Sequence, residues 1–484
     1  MPEKKRIGAF SISQAFTHAF AELSGDSNPL HVDPIAARRY QFGTTVVHGI
    51  CAALKALDVF FGAQPASGNT LALASIKIQF NKPLHHDDDV EVFHSINEKS
   101  HRLELSKNGK RAQIISFELQ SIHDSGKATV KSLSENSSPI SINNYTFVEA
   151  ATAEGKIPFN WNQRLAEELF PNATNVLPAS QIATLLATTV IVGMKCPGLN
   201  SVYGGLNLSF NATLIAQPGP LSYRVSDSDE RFNRLLIDTE NDIASGQIET
   251  FYRAPPVVQP SFKQIKPLLT GNEFAAQRAL IIGGSRGLGE ITAKILAAGG
   301  AKTIITYASG QQDAERVAND INAGSGYCQT AQYNILKPDV HIAHSFTEEP
   351  ISHIYYLASP VISKSDHLLW DDSLFNHYYR YYVTGLKDLL SPFVESADYK
   401  KSALNIFIPS TVFLSEPIKG FGEYCAAKAA AETFAQQIPL AAPRWSAFRP
   451  RLPRLQTDQT SGAMSADPME ATTVLLNTLL SLSL

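Results

Sequence analysis

The chain has 484 residues, of which 44% are hydrophobic and 18% charged, a composition that accommodates about three ordinary globular domains. Its net charge of −4 provides no basic surface for nucleic acid or an acidic membrane, and without a signal peptide or an apolar run of about 18 residues we expect a cytoplasmic protein with no membrane span. The cysteines form no CxxC pair, which disfavours a metal site and fits a reducing compartment; they are Cys51, Cys196, Cys328 and Cys425.

Residues 1–123 are predicted to form one domain in which a sheet wraps a buried helix. The stretch SQAFTHAFAELSGD has an apolar helical face, and VVHGICAALKALDVFFG, beginning near Val46, is apolar almost all round. Alternating strands follow in LALASIKIQF, DDDVEVFHSI and RLELSKNGKRAQIISFELQ, the last with Asn108-Gly109 at a hairpin turn. A single buried helix wrapped by an antiparallel sheet is the hot-dog arrangement.

Residues 124–145 are rich in Ser and Asn and are predicted to be a linker. Residues 146–260 then repeat the order of elements, with the helix SQIATLLATTVIVGM and four strand-like segments. We therefore expect an α+β double hot-dog, whose two helices lie against each other beneath one continuous sheet. No histidine occurs between His123 and His341, so the second hot-dog is predicted to be non-catalytic and to complete a substrate tunnel.

Residues 270–484 have a different pattern of predicted secondary structure, in which strands alternate with helices. A strand is predicted in RALIIGG, followed by a glycine-rich turn and helix in SRGLGEITAKILAAGG. A second strand is predicted in AKTIITYAS and a second helix in DAERVANDINAG. This order predicts an α/β Rossmann-type, doubly wound parallel sheet.

The first candidate site lies in LSGDSNPLHVDPIAARRYQFGTTVVHG, residues 23–49. Asp26 and His31, held close together on a polar loop, can share one water molecule, as the addition or removal of water across a double bond requires. In isolation, Asp26 and Asn28 could instead form only an Asx-turn, with His31 on the surface.

This segment resembles the MaoC-like hydratases, the (R)-specific enoyl-thioester hydratase family, over roughly residues 5–120. The resemblance implies that Asp26 and His31 hold the catalytic water and act as acid and base. It also implies that the backbone N–H of Gly49, at the N-terminus of the buried helix, polarises the thioester carbonyl. Asn28 is expected to position the loop, and His48 to have a packing or N-cap role.

The second candidate site begins with GGSRGLG, Gly283 to Gly289, between a strand and a helix, where backbone amides can approach a pyrophosphate. Downstream, Tyr424 and Lys428 form a YxxxK pair on one helical face. Together these features resemble the short-chain dehydrogenase/reductase family over about residues 277–465. The resemblance implies that Tyr424 donates a proton, and that Lys428 lowers its pKa and holds the nicotinamide ribose.

A hydroxyl residue after IFIP is expected to bind the substrate carbonyl, either Thr411, which the spacing favours, or Ser410. The segment TYAS has no acid to hold ribose hydroxyls, and Arg286 can face a 2′-phosphate, so we expect NADP(H). The full set of expected cofactor-binding residues is Gly283, Ser285, Arg286, Gly287, Leu288, Gly289, Tyr307, Ala358, Ser359, Tyr424, Lys428 and Pro453.

Three positions depart from the dehydrogenase pattern. Ile282 replaces the usual Thr that opens the glycine motif, and Ala358-Ser359-Pro360 replaces Asn-Ala-Gly. The helical Asn that often relays protons is missing from RYYVTG.

The two resemblances together predict a bifunctional enzyme that reduces 3-oxoacyl thioesters with NADPH and dehydrates 3-hydroxyacyl thioesters to enoyl thioesters, as in fatty-acid or polyketide processing. The substrate would be carried on acyl carrier protein or coenzyme A, and the reductase domain would pair two copies as a homodimer. Two alternatives remain open at this stage: a degradative hydratase and 3-hydroxyacyl dehydrogenase, or a carrier-binding scaffold with a relic reductase site.

Overall fold

The computed structural model describes residues 4–40, 42–64, 71–121, 140–211, 217–338, 350–365, 367–457 and 469–482. The chain divides into two compact units, Met1–Pro255 and Pro256–Leu484.

The N-terminal unit is built from strands and helices that alternate in two similar series. Its strands are β1 (Lys5–Phe10), β2 (Leu71–Phe80), β3 (Val90–Asn97), β4 (Ser100–Lys107), β5 (Lys110–Ser121), β6 (Glu154–Ile157), β7 (Ser201–Phe210), β8 (Leu221–Asp229), β9 (Arg234–Glu240) and β10 (Ala244–Tyr252). Its helices are α1 (Gln14–Ser24), α2 (Pro29–Val32), α3 (Pro34–Ala37), α4 (Gly49–Gly62), α5 (Phe147–Ala150), α6 (Gln163–Leu169), α7 (Pro171–Val176) and α8 (Ala179–Val190), the last continued by a π-helical turn, Ile191–Lys195.

The strands form one ten-stranded sheet in the order β1-β3-β4-β5-β2-β7-β10-β9-β8-β6. The first five strands in this order come from the first half of the unit, and the other five repeat their arrangement in reverse. The halves join where β2 pairs antiparallel with β7, from Ser75↔Ser209 to Gln79↔Gly205. A single continuous sheet therefore crosses both halves, as the sequence predicts.

The two apolar helices, α4 and α8, contact each other in the core that this sheet covers. All twelve residues of α8 are buried, its serine, glutamine and threonines included, so the helix has no exposed face. Helix α4 begins at Gly49, three residues later than expected, because Val46 and Val47 donate their amides to the carbonyls of Leu30 and Leu84. The predicted hairpin turn is present, with positive φ at Asn108 (51°) and Gly109 (71°).

The predicted linker, residues 124–145, lies mostly outside the described residues, which omit 122–139. Its last part lies against the second half of the unit. The Asn143 amide donates to the Met194 carbonyl over 2.8 Å, and Asn144 forms a β-bridge with Gly198.

The C-terminal unit is a parallel α/β layer structure. Its strands are β11 (Arg278–Ile282), β12 (Lys302–Tyr307), β13 (Tyr327–Gln332), β14 (His353–Tyr356), β15 (Leu404–Phe407), β16 (Ser410–Thr411), β17 (Trp445–Phe448) and β18 (Arg451–Leu452). Its helices are α9 (Phe262–Ile265), α10 (Gly287–Ala298), α11 (Gln311–Ala323), α12 (Asp372–Tyr379), α13 (Gly385–Glu395), α14 (Ala397–Lys401), α15 (Gly422–Ala441) and α16 (Ala471–Ser481), with a π-helical turn, Arg380–Thr384, between α12 and α13.

Six of these strands form a parallel sheet in the order β13-β12-β11-β14-β15-β17. Counted from β11, this is the order 3-2-1-4-5-6 of a doubly wound dinucleotide-binding fold, as predicted. A short parallel pair, β16 and β18, places Ser410 opposite Arg451. Of the helices in the described part of the chain, none combines the length and apolar character needed to cross a membrane.

Candidate active sites

The first candidate site is the loop between α1 and α2. Helix α1 ends at Gly25, which has a positive φ of 83°, and this turn sends the chain back toward the core. Asp26 is only 1% exposed, and its Oδ1 accepts the Asn28 amide over 3.2 Å. The Asx-turn is therefore present, but it holds a buried carboxylate rather than a surface loop.

The second half of the unit also holds this carboxylate. The Thr189 hydroxyl of α8 donates to Asp26 Oδ2 over 2.7 Å. Gly193, in the π-helical turn, lies so close that a Cβ there would overlap the Asp26 carboxylate. The Asn28 amide group donates to the carbonyls of Gly193 (2.8 Å) and Gly198 (3.2 Å). The second half is thus a direct partner of the candidate acid and of its loop.

His31 is brought to Asp26, as predicted. Its Nδ1 lies 2.7 Å from the Val46 carbonyl oxygen, which only accepts, so we assign the proton to Nδ1 and leave the Nε2 lone pair for a substrate or water. Ligand atoms of Asp26, His31 and His48 all lie within 4.8 Å of one another. This spacing allows one water molecule to bond both Asp26 and His31.

His48 contacts both His31 and Asp26. Its ring stacks on that of His31, with centroids 3.8 Å apart, and its Nε2 donates to the Asp26 carbonyl oxygen over 3.0 Å. It occupies the N-cap position of α4, although its side chain forms no capping hydrogen bond. The packing role expected of His48 therefore describes it better than the capping role.

Burial sets the protonation of this group. Desolvation raises the pKa of the Asp26 carboxyl, opposed by the charge of His31 and the hydrogen bond from Thr189. Desolvation lowers the pKa of His31, opposed by Asp26 and Val46, and lowers the pKa of His48 well below its ordinary range. Burial thus favours the neutral imidazole of His31 and the protonated form of the Asp26 carboxyl.

Gly49 is the first residue of α4, so its N–H belongs to the set that no intrahelical carbonyl accepts. A Cβ at this position would lie 2.6 Å from the Phe80 ring. Gln113 donates to the Gly49 carbonyl oxygen over 3.1 Å. The helix therefore begins with a free N–H group directly after His48, whose ring stacks on that of His31.

The second candidate site contains the glycine turn between β11 and α10. Gly283 has a φ of 82°, and a Cβ there would lie 2.9 Å from the Ala358 amide nitrogen. A Cβ at Gly289 would overlap the Gly283 carbonyl oxygen, whereas Gly287 has a φ of 55° and open space around it. Side chains at Gly283 and Gly289 would therefore clash with the backbone of the turn. The glycine turn fits a dinucleotide pyrophosphate at the N-terminus of α10.

The other expected cofactor residues lie in the turn itself or at the ends of strands. Ser285 is buried, and Arg286 is the N-cap residue of α10, followed by the half-buried Leu288. Tyr307 ends β12, and the stretch from Thr306 to Ser309 carries no carboxylate. Ala358 and Ser359 follow β14 of the six-stranded sheet, and Pro453 follows β18 of the short β16–β18 pair.

Tyr424 and Lys428 lie one turn apart on α15, and both are buried. Tyr424 is hydrogen-bonded to Thr411, which favours Thr411 over Ser410 as its partner. Burial raises the pKa of Tyr424 and lowers the pKa of Lys428 to about 7. Burial therefore acts against the lowered tyrosine pKa that the resemblance implies, and Lys428 Nζ lies 6.0 Å from the Tyr424 ring centroid.

Tyr382 occupies the region where the relay asparagine is missing. It lies in the π-helical turn Arg380–Thr384 and is fully buried. Its ring centroid is 3.9 Å from Lys428 Nζ, and its hydroxyl is 2.8 Å from Ser359 Oγ. Lys428 also donates to the Pro409 carbonyl oxygen over 2.9 Å. An aromatic face thus covers Lys428 in the segment from which the relay asparagine is missing.

Family comparisons agree with both sites. Residues 4–116 match the MaoC like domain, and residues 277–445 match the short chain dehydrogenase family. The chain joins a MaoC-like dehydratase domain to a short-chain dehydrogenase domain. Both are enzyme domains, one of the lyase class and one of the oxidoreductase class.

Curated relatives match shorter stretches. The chain is 36% identical over 66 residues to Peroxisomal multifunctional enzyme type 2 of Drosophila melanogaster, covering 14% of this chain and 11% of that protein. It is 41% identical over 66 residues to the 3-oxoacyl-[acyl-carrier-protein] reductase of Synechocystis, covering 14% and 27%. It is 30% identical over 175 residues to the NADPH-dependent aldehyde reductase-like protein of Arabidopsis thaliana, covering 33% and 64%. The chain thus spans less than two thirds of each relative.

Among solved structures, a short chain dehydrogenase from Shigella flexneri complexed with NADP aligns with a TM-score of 0.39 and 16% sequence identity. The alignment covers 44% of this chain and 93% of that one.

Two site residues, Thr189 and Tyr382, were not found from the sequence. Thr189 lies in an apolar helix beside Thr184 and Thr188, whose hydroxyls bond to carbonyls of their own helix. Nothing in the local pattern separates the one threonine that faces Asp26. Tyr382 had a usable signal, because an aromatic residue stands where a polar one is typical.

Proposed function

We propose that the N-terminal unit is a double hot-dog that dehydrates 3-hydroxyacyl thioesters to enoyl thioesters, and that the C-terminal unit reduces 3-oxoacyl thioesters with NADPH. Residues 1–123 form the catalytic hot-dog, residues 146–260 the second, and residues 270–484 the reductase domain. The observation that carries the proposal is the buried Asp26 paired with the half-buried His31 beside the N-terminus of α4.

In the dehydration, neutral His31 accepts the C2 proton of the substrate through Nε2. Protonated Asp26 gives its proton to the departing 3-hydroxyl, which leaves as water, and a C2–C3 double bond forms. The negative charge that develops on the thioester oxygen is bound by the N–H of Gly49. The raised pKa of Asp26 and the lowered pKa of His31 favour the two protonation states that this direction needs.

In the reduction, Thr411 and Tyr424 bind the 3-oxo oxygen, and Tyr424 gives it a proton. Bound NADPH supplies the hydride that C3 requires. Lys428 is placed to bind the nicotinamide ribose, and Tyr382 keeps its ammonium group over an aromatic face.

The choice of NADP(H) is supported by the absence of a carboxylate after β12 and by the position of Arg286 at the α10 N-cap. One relative is also named as NADPH-dependent. Titration with NADPH and NADH tests this choice: Arg286→Ala should weaken NADPH binding at least tenfold and leave NADH binding nearly unchanged. Equal losses for both cofactors would overturn the assignment of Arg286.

The two activities form consecutive steps, since the product of reduction is the substrate of dehydration. The relatives named as a multifunctional enzyme and as a 3-oxoacyl-[acyl-carrier-protein] reductase support this pairing. The fatty-acid or polyketide role and a cytoplasmic location belong to the same proposal.

The deciding experiment incubates the full chain with 3-oxoacyl thioesters of coenzyme A or acyl carrier protein and NADPH, and identifies products by mass spectrometry. We expect enoyl thioester from the wild type and unreacted 3-oxoacyl thioester from Tyr424→Phe. A wild type that consumes no NADPH would overturn the reductase assignment, and a product that stops at the 3-hydroxy stage would overturn the dehydratase assignment.

We also propose that two copies pair through the C-terminal unit. Leu368 and Leu369, just before α12, are 93% and 89% exposed, which is unusual for large apolar side chains outside an interface. Sedimentation of wild type and of the Leu368→Glu, Leu369→Glu double variant tests this pairing, with a monomeric wild type as the contradicting result.

A further inference from the structure

Arg253, the residue after β10, is a buried cation of the dehydratase unit with incomplete hydrogen bonding. It is only 6% exposed. Its Nη2 donates to the Leu199 carbonyl oxygen over 2.7 Å. Within the described residues, neither Nε nor Nη1 makes a hydrogen bond of standard geometry, and the Tyr40 side chain lies close enough to interact with the guanidinium. A guanidinium withdrawn from water in this way is costly unless an acceptor completes it.

Tyr40 connects Arg253 with the Asp26–His31 site. The guanidinium carbon lies 3.8 Å from the centre of the Tyr40 ring. Tyr40 packs in a small cluster with Leu30 and Val46, the residue before His31 and the residue whose carbonyl binds the His31 ring. The positive charge of Arg253 also acts on His31 and lowers its pKa. Arg253 therefore belongs to the surroundings of the N-terminal site, although it comes from the second half of the unit.

The Nε–H and Nη1–H groups of Arg253 can bind a ligand that provides a hydrogen-bond acceptor. The acyl part of the proposed substrate has two oxygen acceptors, the thioester carbonyl and the 3-hydroxyl, and the proposed mechanism assigns these to Gly49 and Asp26. The pantetheine arm of the carrier adds two amide carbonyls and ends in a phosphate. The phosphate is strongly hydrated, and burying it beside a group that is 94% shielded would be costly. The amide carbonyls are neutral acceptors that extend several bonds from the sulfur, so they suit a buried N–H donor.

We infer that Arg253 is a substrate-binding residue of the dehydratase site and that its Nε–H or Nη1–H groups bind an amide carbonyl of the pantetheine arm. This inference rests on the proposed function, because it requires a carrier-linked thioester at Asp26 and His31. It assigns to the second half of the unit a part in recognising the carrier.

The experiment measures hydration, the reverse reaction, of one enoyl group on three thiols: coenzyme A, pantetheine without its phosphate, and ethanethiol. For Arg253→Met we expect kcat/KM to fall about 10- to 100-fold with the first two substrates, mainly through KM, as for the loss of a hydrogen bond to a charged group. Hydration of the ethanethiol ester, which has no amide, should change less than about threefold.

Arg253→Lys is the second variant, since it keeps the positive charge near His31 but not the guanidinium geometry. We expect it to lose most of the pantetheine preference while the pH profile of hydration stays at its wild-type position. Arg224→Met, at an exposed arginine of β8, is the matched control and should behave as the wild type with all three thioesters.

The outcomes separate the two proposals. If the wild type hydrates none of the three esters, the dehydratase function itself fails. If the wild type is active but Arg253→Met loses activity equally with all three, Arg253 is only structural and the inference is overturned. If only the coenzyme A ester is affected, Arg253 binds the phosphate, which also overturns the assignment to an amide carbonyl.

Discussion

The Thr189 hydroxyl donates a 2.7 Å hydrogen bond to the Asp26 carboxylate, across the boundary between the two halves of the dehydratase unit. Asp26 belongs to the first half, and Thr189 lies on the buried helix of the second half. The half that lacks histidine therefore takes part in setting the protonation of the candidate acid.

Thr189→Val removes this bond while nearly keeping the volume of the side chain. The hydroxyl lowers the pKa of Asp26, so its loss should raise that pKa further, by about one unit for a hydrogen bond to a charged group. Hydration uses ionised Asp26 to accept a proton from water, so the acid limb of kcat/KM should move to higher pH. Thr189→Ser keeps the hydroxyl, and its limb should remain at the wild-type position. Identical profiles for the Val and Ser variants would contradict this role.

Asp26→Asn should abolish dehydration, with a loss of at least about a thousandfold, because the amide cannot give a proton to the departing hydroxyl. NADPH-dependent reduction of 3-oxoacyl thioesters should continue at the wild-type rate. Asp33→Asn is the matched control, because Asp33 caps α3 through its Oδ1 and asparagine caps equally well. Mass spectrometry should show that Asp26→Asn accumulates the 3-hydroxy product and that Asp33→Asn does not. Continued elimination in Asp26→Asn would remove Asp26 from the mechanism.

The sequence predicted most of the fold because strong periodicity marks the elements. The strand β2 was predicted with its observed bounds, Leu71–Phe80, and Asn108-Gly109 specified the hairpin between β4 and β5. The short edge strands β1 and β6 were missed, since four to six residues with mixed exposure give little alternation. Helix α4 was placed three residues early, because Val46 and Val47 are as apolar as the helix that follows them.

The candidate sites were predictable only where the chemistry is local. Asp26 and His31 lie on one short loop, and Tyr424 and Lys428 lie on one helix, so spacing alone brought them together. Thr189 and Arg253 reach the first site from 163 or more residues away, through the pairing of β2 with β7. That pairing is a property of the folded sheet, and no local pattern encodes it.

Gly289→Ala should weaken NADPH binding by at least tenfold, because the new Cβ would overlap the Gly283 carbonyl oxygen and force the phosphate-binding turn apart. The control is Gly422→Ala, since a Cβ at Gly422 meets nothing within 4 Å. Fluorescence titration of the full chain gives both affinities. Wild-type affinity in Gly289→Ala would show that the turn does not hold the cofactor.

His353 makes the stability of the C-terminal unit depend on pH. Burial lowers its pKa from 6.5 to about 4, so below pH 6.5 the unfolded chain takes up a proton that the folded chain does not. The free energy of unfolding is therefore unaffected by His353 above pH 6.5. It decreases by about 2–3 kcal/mol as the pH falls toward 4, because protonation of His353 favours the unfolded chain.

Denaturant unfolding of the full chain between pH 7 and pH 4.5 measures this effect. His353→Gln does not titrate and can still reach Ser352 and Asn405, which bond the native imidazole. Its free energy of unfolding should fall less steeply with acid than that of the wild type. If the free energy of unfolding changes equally with pH in the wild type and in His353→Gln, titratable groups other than His353 determine the pH dependence.

Tyr382 is predicted to keep Lys428 charged. Burial lowers the pKa of Lys428 to about 7, so an ammonium that binds ribose is lost as the pH rises through neutrality. The Tyr382 ring, with its centroid 3.9 Å from Lys428 Nζ, favours the cation by about 2 kcal/mol in a desolvated site. Tyr382→Leu should therefore move the alkaline limb of kcat/KM for reduction to lower pH by about 1.5 units.

Tyr382→Phe separates the ring from the hydroxyl. It keeps the aromatic face over Lys428 but loses the 2.8 Å contact with Ser359, so its alkaline limb should coincide with that of the wild type even if the maximal rate falls. If the Leu and Phe variants instead share one shifted limb, the hydroxyl contact and not the ring governs Lys428. If neither limb moves, the lysine charge is held by Glu432, whose carboxylate also favours the ammonium form, and the aromatic residue at this position is only packing.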